Sequence, residues 1–331
     1  MTPPYRIAVQ GATSLLGKEL QTALEERHFP ALNTTLIATA DRSGNKQTFN
    51  RGLAAFGGEV AVLEPCTAEA LAGQDVIFLC GTAEEARATA ALAPARARLV
   101  DASGALRGSA GAATAGLEPT FAAPARTALV AHPAAQVLAH ALQRLGTAGA
   151  LAGGEATVFE PVSERGWPGM QELQQQSTRL LDMQSLPEEI FGCQVAFNLR
   201  VRLGAEAEPG LGEIRRRIVE EMADLGAAPI PALVVVQAPV FHACLLSLHV
   251  RYTTFTGMDS VLAALTSPWL TPGTEYPDVV SVAGADTIPL GPVRADPAGG
   301  FWIWAGVDNL RRSAFCAVDA ALALLRQGEA Q

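Results

Sequence analysis

The chain has 331 residues, of which 49% are hydrophobic and 17% are charged. This composition excludes an intrinsically disordered protein, and the length allows two domains that each bury a core. The net charge of −9 gives no electrostatic reason to expect a nucleic-acid partner, and no uninterrupted apolar run is long enough to predict a membrane span.

The first 130 residues alternate between short apolar runs and helical patterns. Strands are predicted at 6–10, 35–40, 75–80, 98–101 and 127–131, and helices at 18–27, 68–72 and 83–92. Such alternation with short connections is typical of a parallel doubly wound sheet. The Ala- and Gly-rich stretch 108–116 is predicted to be a loop.

After about residue 130 the pattern changes and predicts a second domain of α+β type with an open sheet. Helices are predicted at 134–145, 170–183, 212–225 and 259–265, and strands with antiparallel character at 233–241, 245–254 and 301–307. The last predicted helix, 310–326, is long and apolar on one side.

A turn bounded by Gly11 and Gly17 connects the first predicted strand to the first helix. Glycines in such a turn allow a tight bend and a close approach of phosphate, and the helix N-terminus offers unpaired N–H groups to a pyrophosphate. The spacing alone also fits an ordinary strand–helix turn. Its position directly after the first strand favours a dinucleotide site.

Residues 41–43 follow the second predicted strand, where dinucleotide-binding folds distinguish NAD from NADP. Arg42 is permanently charged and suits the 2′-phosphate of NADP, and Ser43 adds a hydroxyl donor. Asp41 would instead favour a ribose hydroxyl if it occupied that position. A solvated loop explains these three residues equally well.

The cysteines and histidines are scattered along the chain. Neither a metal-finger pair nor a disulfide framework is formed by Cys66, Cys80, Cys193, Cys244 and Cys316. The histidines show no metal spacing either, so no metal site is predicted.

The first residues lack the basic start and apolar core of a signal peptide, and a reducing, cytoplasmic location is expected.

The glycine turn is one of several motifs that resemble the aspartate-semialdehyde dehydrogenase family, over nearly the whole chain. Residues 11–17 resemble the family's Gly-Ala-Thr-Gly-x-x-Gly turn, with Ser14 in place of the middle glycine. The pair Arg42-Ser43 resembles the Arg-Ser pair that reads NADP. Residues 100–107 resemble Val-Asp-Asn-Ser-Ser-x-x-Arg, which implies that Arg107 binds phosphate or a substrate carboxylate.

The second half of the chain carries further motifs of the same family. Residues 159–166 resemble Tyr-Gln-x-Val-Ser-Gly-Ala-Gly, so Glu160 takes the position of the substrate-binding glutamine. Glu213 and Arg216 align with a Glu and a Lys that engage substrate and phosphate. Residues 308–314 are very similar to Asp-Asn-Leu-Arg-Arg-Gly-Ala, a segment that contributes to cofactor binding.

The departures from the family concentrate on its chemistry. Residues 129–137 take the place of the Asn-Pro-Asn-Cys segment, and Ala135 stands where the thiolate nucleophile is expected. In residues 237–244, Gln237 replaces the substrate-orienting arginine and Cys244 replaces the general-base histidine. A methyl group cannot form a thioester, and a neutral amide does not hold a carboxylate as a guanidinium does.

The resemblance implies a Rossmann-like domain with a doubly wound parallel sheet, formed by residues 1–130 and helix 310–328, and an α+β substrate and dimerisation domain, residues 131–309. It also implies a homodimer and NADP as the cofactor. The cofactor site is expected to contain Gly11, Thr13, Ser14, Leu15, Leu16, Gly17, Arg42, Ser43, Gly81 and Asn309. The former substrate and phosphate site is expected to contain Arg107, Glu160, Ser163, Glu213 and Arg216.

The sequence therefore predicts a Usg-like member of this family that has lost phosphate-dependent semialdehyde oxidation. One alternative is an active dehydrogenase with Cys244 as a relocated nucleophile and His242 as its base, because residues i and i+2 of a strand share a face. Another is a non-enzymatic scaffold that senses nucleotide. His132 either approaches the emptied pocket or is a hydrogen-bonded loop residue, and no substrate preference is predicted.

Overall fold

The computed structural model describes residues 4–37, 53–56, 59–255 and 257–329. The chain divides into two compact units, one comprising Met1–Ala131 and Ser313–Gln331 and the other comprising His132–Arg312. Among the described residues, none of the helices combines the length and the apolar character needed to cross a membrane.

The first unit is built on a sheet of eight described strands. The strands are β1 Tyr5–Gln10, β2 Ala31–Ile37, β3 Leu53–Phe56, β4 Glu59–Glu64, β5 Val76–Leu79, β6 Arg98–Asp101, β7 Ala112–Ala115 and β8 Thr127–Val130. Their order is β3-β4-β2-β1-β5-β6-β8-β7, and only the β3–β4 pair among them is antiparallel. The helices between them are α1 Leu15–Glu26, α2 Ala68–Leu71 and α3 Ala83–Leu92.

Strand β1 lies between β2 and β5, so the chain order along the sheet reverses there. In open parallel sheets this reversal opens a crevice at the carboxyl ends of the two strands, where ligands bind. The turn that begins at Gly11 follows β1, and Gly81 follows β5. The fold thus places the predicted nucleotide turn at the usual binding edge.

The second unit combines an open mixed sheet with helices. Its elements are α4 Pro133–Leu145, β9 Gly149–Glu160, α5 Gly166–Leu181, α6 Leu211–Asp224, β10 Ala232–Gln237, β11 Cys244–Phe255, α7 Met258–Leu265, β12 Leu270–Pro272, β13 Ile288–Leu290, β14 Arg294–Ala295, β15 Phe301–Val307 and the start of α8 Asn309–Glu329. The strand order is β10-β9-β11-β15-β13-β12, and β14 pairs with β15. The predicted fold class, a Rossmann-like parallel sheet followed by an α+β domain, is confirmed.

The strand prediction was wrong at several points, and it missed β3, β4, β9, β12, β13 and β14 altogether. The stretch 108–116 is not entirely loop, because Ala112–Ala115 forms the edge strand β7 beside β8. Strand β10 pairs with β9 in parallel, whereas an antiparallel arrangement was predicted. It also ends at Gln237, ahead of Pro239, which has no N–H to donate to a neighbouring strand.

Candidate functional site

Helix α4 begins within the segment that was predicted to take the place of the family's Asn-Pro-Asn-Cys motif. His132 caps the helix, because its Nδ1 accepts a hydrogen bond of 3.2 Å from the backbone N–H of Ala134. Pro133 occupies the first helical position, where a missing N–H costs nothing. Ala135 is the third residue of the helix and is completely buried. The place of the expected thiol is thus filled by a methyl group.

His132 also contacts two carboxylates. Its Nε2 lies 3.2 Å from Oε1 of Glu160 and 3.8 Å from Oε2 of Glu164. The side chains of His132 and Glu160 are only 4% and 2% exposed, whereas that of Glu164 is 23% exposed. We call these three residues the His132 cluster. One donor atom from each of them lies within 4.8 Å of the others.

Glu160 reaches the cluster from the end of the second sheet. It is the last residue of β9, which runs between β10 and β11. Its carbonyl oxygen accepts hydrogen bonds from Nε2 of Gln237 at 2.8 Å and from the backbone N–H of Ala238 at 2.9 Å. Gln237, predicted as the replaced arginine, is therefore fully buried and supports the backbone beneath Glu160.

Asn309, the first residue of α8, orients Glu164. Its Nδ2 donates to Oε1 of Glu164 at 2.7 Å, and its Oδ1 accepts a hydrogen bond of 3.1 Å from the backbone N–H of Ala243. Its side chain also exchanges hydrogen bonds with Ser163 Oγ. The buried amide of Asn309 is thus engaged within the second unit, and the cofactor contact expected of it stays a prediction.

A second ion pair holds the backbone of His132. Oε2 of Glu221 accepts a hydrogen bond of 2.7 Å from the N–H of His132, and its Oε1 accepts one of 2.8 Å from Nε of Arg217. Glu221 is buried and projects from α6. Because buried carboxylates are costly unless paired, Arg217 stabilises this contact.

The electrostatics of the cluster follow from burial and from the proximity of like charges. Burial raises the pKa of Glu164, and the neighbouring charge of Glu160 raises it further. Burial alone would lower the pKa of His132, but the charge of Glu160 and its hydrogen bond to the imidazole outweigh that effect, and the pKa of His132 is raised. His132 and Glu164 therefore keep their protons to a higher pH than isolated groups would.

Cys244 does not have the surroundings of a reactive thiol. It is completely buried, and burial together with the charges of Glu160 and Glu164 raises the pKa of its thiol well above the ordinary value. The nucleophilic form of cysteine is the thiolate. This environment favours the protonated, unreactive form.

His242 is not on the same strand as Cys244. Strand β11 begins at Cys244, and Ala243 has a φ of 68°, outside the extended region. The Nε2 of His242 instead lies 2.8 Å from Oδ2 of Asp308. The shared strand face on which a Cys244–His242 pair would depend is absent.

The turn after β1 has the close backbone packing expected of a dinucleotide site. Gly11 has a φ of 75°, and a Cβ there would overlap the backbone of Gly81. A Cβ on Gly17 would overlap the carbonyl group of Gly11. Both positions therefore require glycine. Gly17 has the role of the third glycine of the dinucleotide fingerprint, which allows the helix to pack closely on the strand.

Ser14, which replaces the middle glycine, is turned toward the protein. Its Oγ accepts a hydrogen bond of 2.9 Å from the N–H of Gly17 and donates one of 2.9 Å to the carbonyl oxygen of Cys80. It therefore caps α1, which begins three residues earlier than predicted. The N–H groups of Leu15 and Leu16, in the first turn, have no intrahelical acceptor and suit a phosphate.

The remaining predicted site residues fall into three groups. Gly81 and half-buried Thr13 lie at the edge of the first sheet, and Gly81 N–H donates to Gln10 Oε1 at 3.1 Å. Half-buried Arg107 lies in a turn after β6. Asp41, Arg42 and Ser43 lie outside the described residues.

Glu213 and Arg216 lie on an exposed face of α6. Their side chains are 56% and 65% exposed and lie 3.7 Å apart, and Arg216 also approaches Glu220 at 4.0 Å. A role for them in binding phosphate stays a prediction. The next arginine, Arg217, is the one that supports the His132 cluster through Glu221.

Sequence reasoning missed Glu164 and Glu221 as members of this site. Glu164 offered a signal, because it stands where the matching family motif has a glycine. Glu221 offered none, since acidic residues on a helix are most often solvated.

Comparisons with known proteins agree with this architecture. Residues 6–136 match the semialdehyde dehydrogenase NAD binding domain, and residues 142–312 match the semialdehyde dehydrogenase dimerisation domain. The USG-1 protein homolog of Pseudomonas aeruginosa is 31% identical over 341 residues, covering 95% of each chain. That of Azotobacter vinelandii is 32% identical over 356 residues, covering 99% of this chain and 100% of the relative.

A solved structure adds a match at the level of the fold. A probable aspartate-semialdehyde dehydrogenase from Pseudomonas aeruginosa superposes with a TM-score of 0.81 at 28% identity, covering 98% of this chain and 99% of that one. The family matches together span both units of the chain. The chain therefore belongs to the semialdehyde dehydrogenase family, as a Usg-like paralogue of aspartate-semialdehyde dehydrogenase.

Proposed function

We propose that this protein does not carry out the thioester chemistry of semialdehyde dehydrogenases and acts as a homodimeric protein that binds NADP(H). The observation that carries the first part is the buried methyl group of Ala135 in the first turn of α4. Aldehyde oxidation through a thioester requires a thiolate at the reacting carbon. Loss of one member of a catalytic unit removes most of its rate enhancement, and here the thiol, the arginine and the histidine are all replaced.

The charge of the surrounding residues supports the same conclusion. The His132 cluster places the carboxyl groups of Glu160 and Glu164 beside the capping residue of α4. A carboxylate opposes the approach of a phosphate or acyl-phosphate anion. The family motif has a neutral glutamine and a glycine at these positions, so both changes add acidic groups.

The nucleotide part of the proposal rests on the first unit. This unit matches an NAD binding domain. Its turn contains Gly11 and Gly17, where an added Cβ would overlap neighbouring backbone atoms. The hydroxyl of Ser14 is engaged in capping α1. Arg42 supports a preference for the 2′-phosphate of NADP, because a guanidinium binds phosphate in a planar, bidentate manner.

The homodimer part rests on the outer face of the second sheet. One row across this face contains Val234, Thr157, Ser247 and Trp304. The rows beside it carry Phe159 and Trp302. Val234 is 49% exposed and Trp302 is 43% exposed. Exposed apolar residues gathered on one sheet face are typical of a subunit interface, and this unit matches the family's dimerisation domain.

Two independent measurements test the proposal. The first follows NADPH formation from aspartate semialdehyde, NADP and phosphate, and turnover at rates typical of enzymes would overturn the claim of lost chemistry. The second follows tryptophan fluorescence during titration with NADPH and NADH. We expect saturable micromolar binding of NADPH, weakened at least about tenfold by Arg42→Ala through loss of a charge-assisted contact. The absence of binding at millimolar nucleotide would overturn the second claim.

A further inference from the structure

We infer that the His132 cluster is a binding site for one divalent transition-metal ion such as Zn²⁺. Imidazole nitrogen and carboxylate oxygen both ligate zinc, and zinc sites with three protein ligands keep the fourth position for a water molecule. The proposal concerns residues that differ from the family motifs. His132 stands where the family motif has the asparagine before the proline. Glu160 stands where the family has the substrate-binding glutamine, and Glu164 where it has a glycine.

The spacing of the donor atoms matches what an ion requires. Four ligands at about 2.0–2.1 Å from a tetrahedral ion lie about 3.3 Å from one another. The distances from Nε2 of His132 to the facing oxygens of Glu160 and Glu164 are 3.2 and 3.8 Å. All three donor atoms lie within 4.8 Å of one another, so the two carboxylates must move closer together by at most about 1.5 Å to surround an ion.

A buried polar atom points to a missing ligand. Oε1 of Glu160 faces His132, and its other oxygen, Oε2, is buried without a hydrogen-bond partner in the part of the chain that the structure describes. The residue as a whole is 2% exposed. An unpaired buried carboxylate oxygen is costly, and an ion bound at Oε1 with its water ligand would supply a hydrogen bond to Oε2.

The residues around the cluster orient the ligands. Asn309 holds Oε1 of Glu164, which leaves Oε2 to face His132. Glu221 holds the backbone N–H of His132. Hydrogen bonds of this kind fix the ligands of metal sites in proteins. Glu164 is the member of the cluster nearest to solvent, with 23% of its side chain exposed.

Coordination has a structural consequence at the start of α4. Without an ion, Nδ1 accepts the N–H of Ala134, so the neutral ring carries its proton on Nε2 and donates it to Glu160. Binding of an ion through Nε2 moves that proton to Nδ1, and the contact with Ala134 is lost. The amide resonance of Ala134 therefore reports on coordination.

The test uses the untagged full chain after dialysis against EDTA, without nucleotide, so that its result does not depend on NADP binding or turnover. Calorimetric titration with Zn²⁺ is expected to show one site per chain in the micromolar range or tighter. Co²⁺ in its place is expected to give the visible absorption of a tetrahedral complex. Mg²⁺, which prefers six oxygen ligands, serves as the control ion.

Two nearly isosteric variants and one matched control decide the assignment. Glu160→Gln and Glu164→Gln should each weaken Zn²⁺ binding at least about tenfold, because each removes a ligand charge. Glu206→Gln removes an exposed carboxylate of the same unit and should leave the affinity unchanged. Either variant suffices if the other fails to fold, as judged by circular dichroism. The absence of saturable Zn²⁺ binding, or equal affinity in all three variants, would overturn the proposal.

Discussion

The Nε2 of His242 lies 2.8 Å from Oδ2 of Asp308, and this contact joins the segment before β11 to the residue that precedes α8. Asp308 also accepts backbone hydrogen bonds from Gly284 at 2.7 Å and from Arg311 at 2.9 Å. Burial alone would raise the pKa of Asp308, but the hydrogen bonds from His242 and the two backbone N–H groups lower it below 3.8. The ionised carboxylate is thus the form that the fold stabilises.

The first prediction follows from this lowered pKa. Because the folded state lowers the pKa, Asp308 contributes stability above pH 3.8, and this contribution is lost as the pH falls through the lowered value. Asp308→Asn should lower the free energy of unfolding by about 1–3 kcal/mol at pH 7. Urea unfolding at several pH values should show this difference shrinking below pH 3.8.

The control for this prediction is Asp286→Asn. Asp286 pairs with Arg311 at 2.6 Å but is 64% exposed, so its removal should change the stability by less than about 1 kcal/mol at pH 7. Equal effects of the two variants would contradict the role given to Asp308.

The second prediction concerns thiol reactivity. Cys66 and Cys193 are half-buried, whereas Cys80, Cys244 and Cys316 are buried. A disulfide reagent at pH 8 should therefore label two thiols in the native protein and all five after denaturation, as counted by mass spectrometry. Cys244→Ser should leave native labelling unchanged, and rapid labelling of Cys244 would restore the relocated nucleophile as a possibility.

The third prediction addresses the nucleotide turn. Gly11→Ala should abolish NADPH binding and destabilise the protein, because the Cβ overlaps the backbone of Gly81 and φ is 75°. Ser14→Gly should change the NADPH affinity by less than about threefold, since the hydroxyl faces Gly17 and Cys80 and glycine replaces a serine cap at a cost of a few tenths of a kcal/mol.

Fluorescence titration of the two variants measures the NADPH affinity, and thermal unfolding measures the stability. A large gain in affinity in Ser14→Gly would mean that the hydroxyl obstructs the pyrophosphate. Unchanged binding in Gly11→Ala would remove this turn from the nucleotide site.

The fourth prediction is that restoring the thiol alone does not restore catalysis. Ala135→Cys should give no detectable NADPH formation, because Gln237 and Cys244, the predicted replacements of the family's arginine and histidine, are still present. Members of a catalytic unit contribute non-additively. The combined variant Ala135→Cys, Glu160→Gln, Gln237→Arg and Cys244→His should exceed the single variant in NADPH formation, provided that circular dichroism shows it folded.

The fifth prediction concerns the subunit interface. Val234→Glu places a charge on the outer face of the second sheet and should convert a dimer to a monomer at micromolar concentration, because burial of an unpaired carboxylate is costly. Leu32→Glu makes the same type of change at an exposed position of the first unit and should leave the dimer intact. Sedimentation velocity distinguishes the two results, and a dimeric Val234→Glu would place the interface elsewhere.

The sequence was sufficient for the fold class, because strand and helix patterns depend on local periodicity. It was less informative for β9, which was not predicted. Residues 149–160 contain three glycines, which are uncommon in strands, and the segment is extended because it pairs with β10 and β11. The cluster joins His132 to residues 28 and 32 positions further along the chain. Such a contact depends on tertiary packing, so histidine spacing gave no indication of it.

Helix α8 has a consequence for the order in which this protein folds. Its residues Ala314, Phe315, Cys316, Ala317, Val318, Ala320, Ala321 and Leu324 belong to the same apolar core as Ile7, Val9 and Phe78. That core is therefore incomplete until residues 314–324 have left the ribosome, although its sheet is synthesised earlier. Until α8 packs, the nascent sheet exposes the apolar surface that the helix will cover, and exposed apolar surface of this kind favours aggregation.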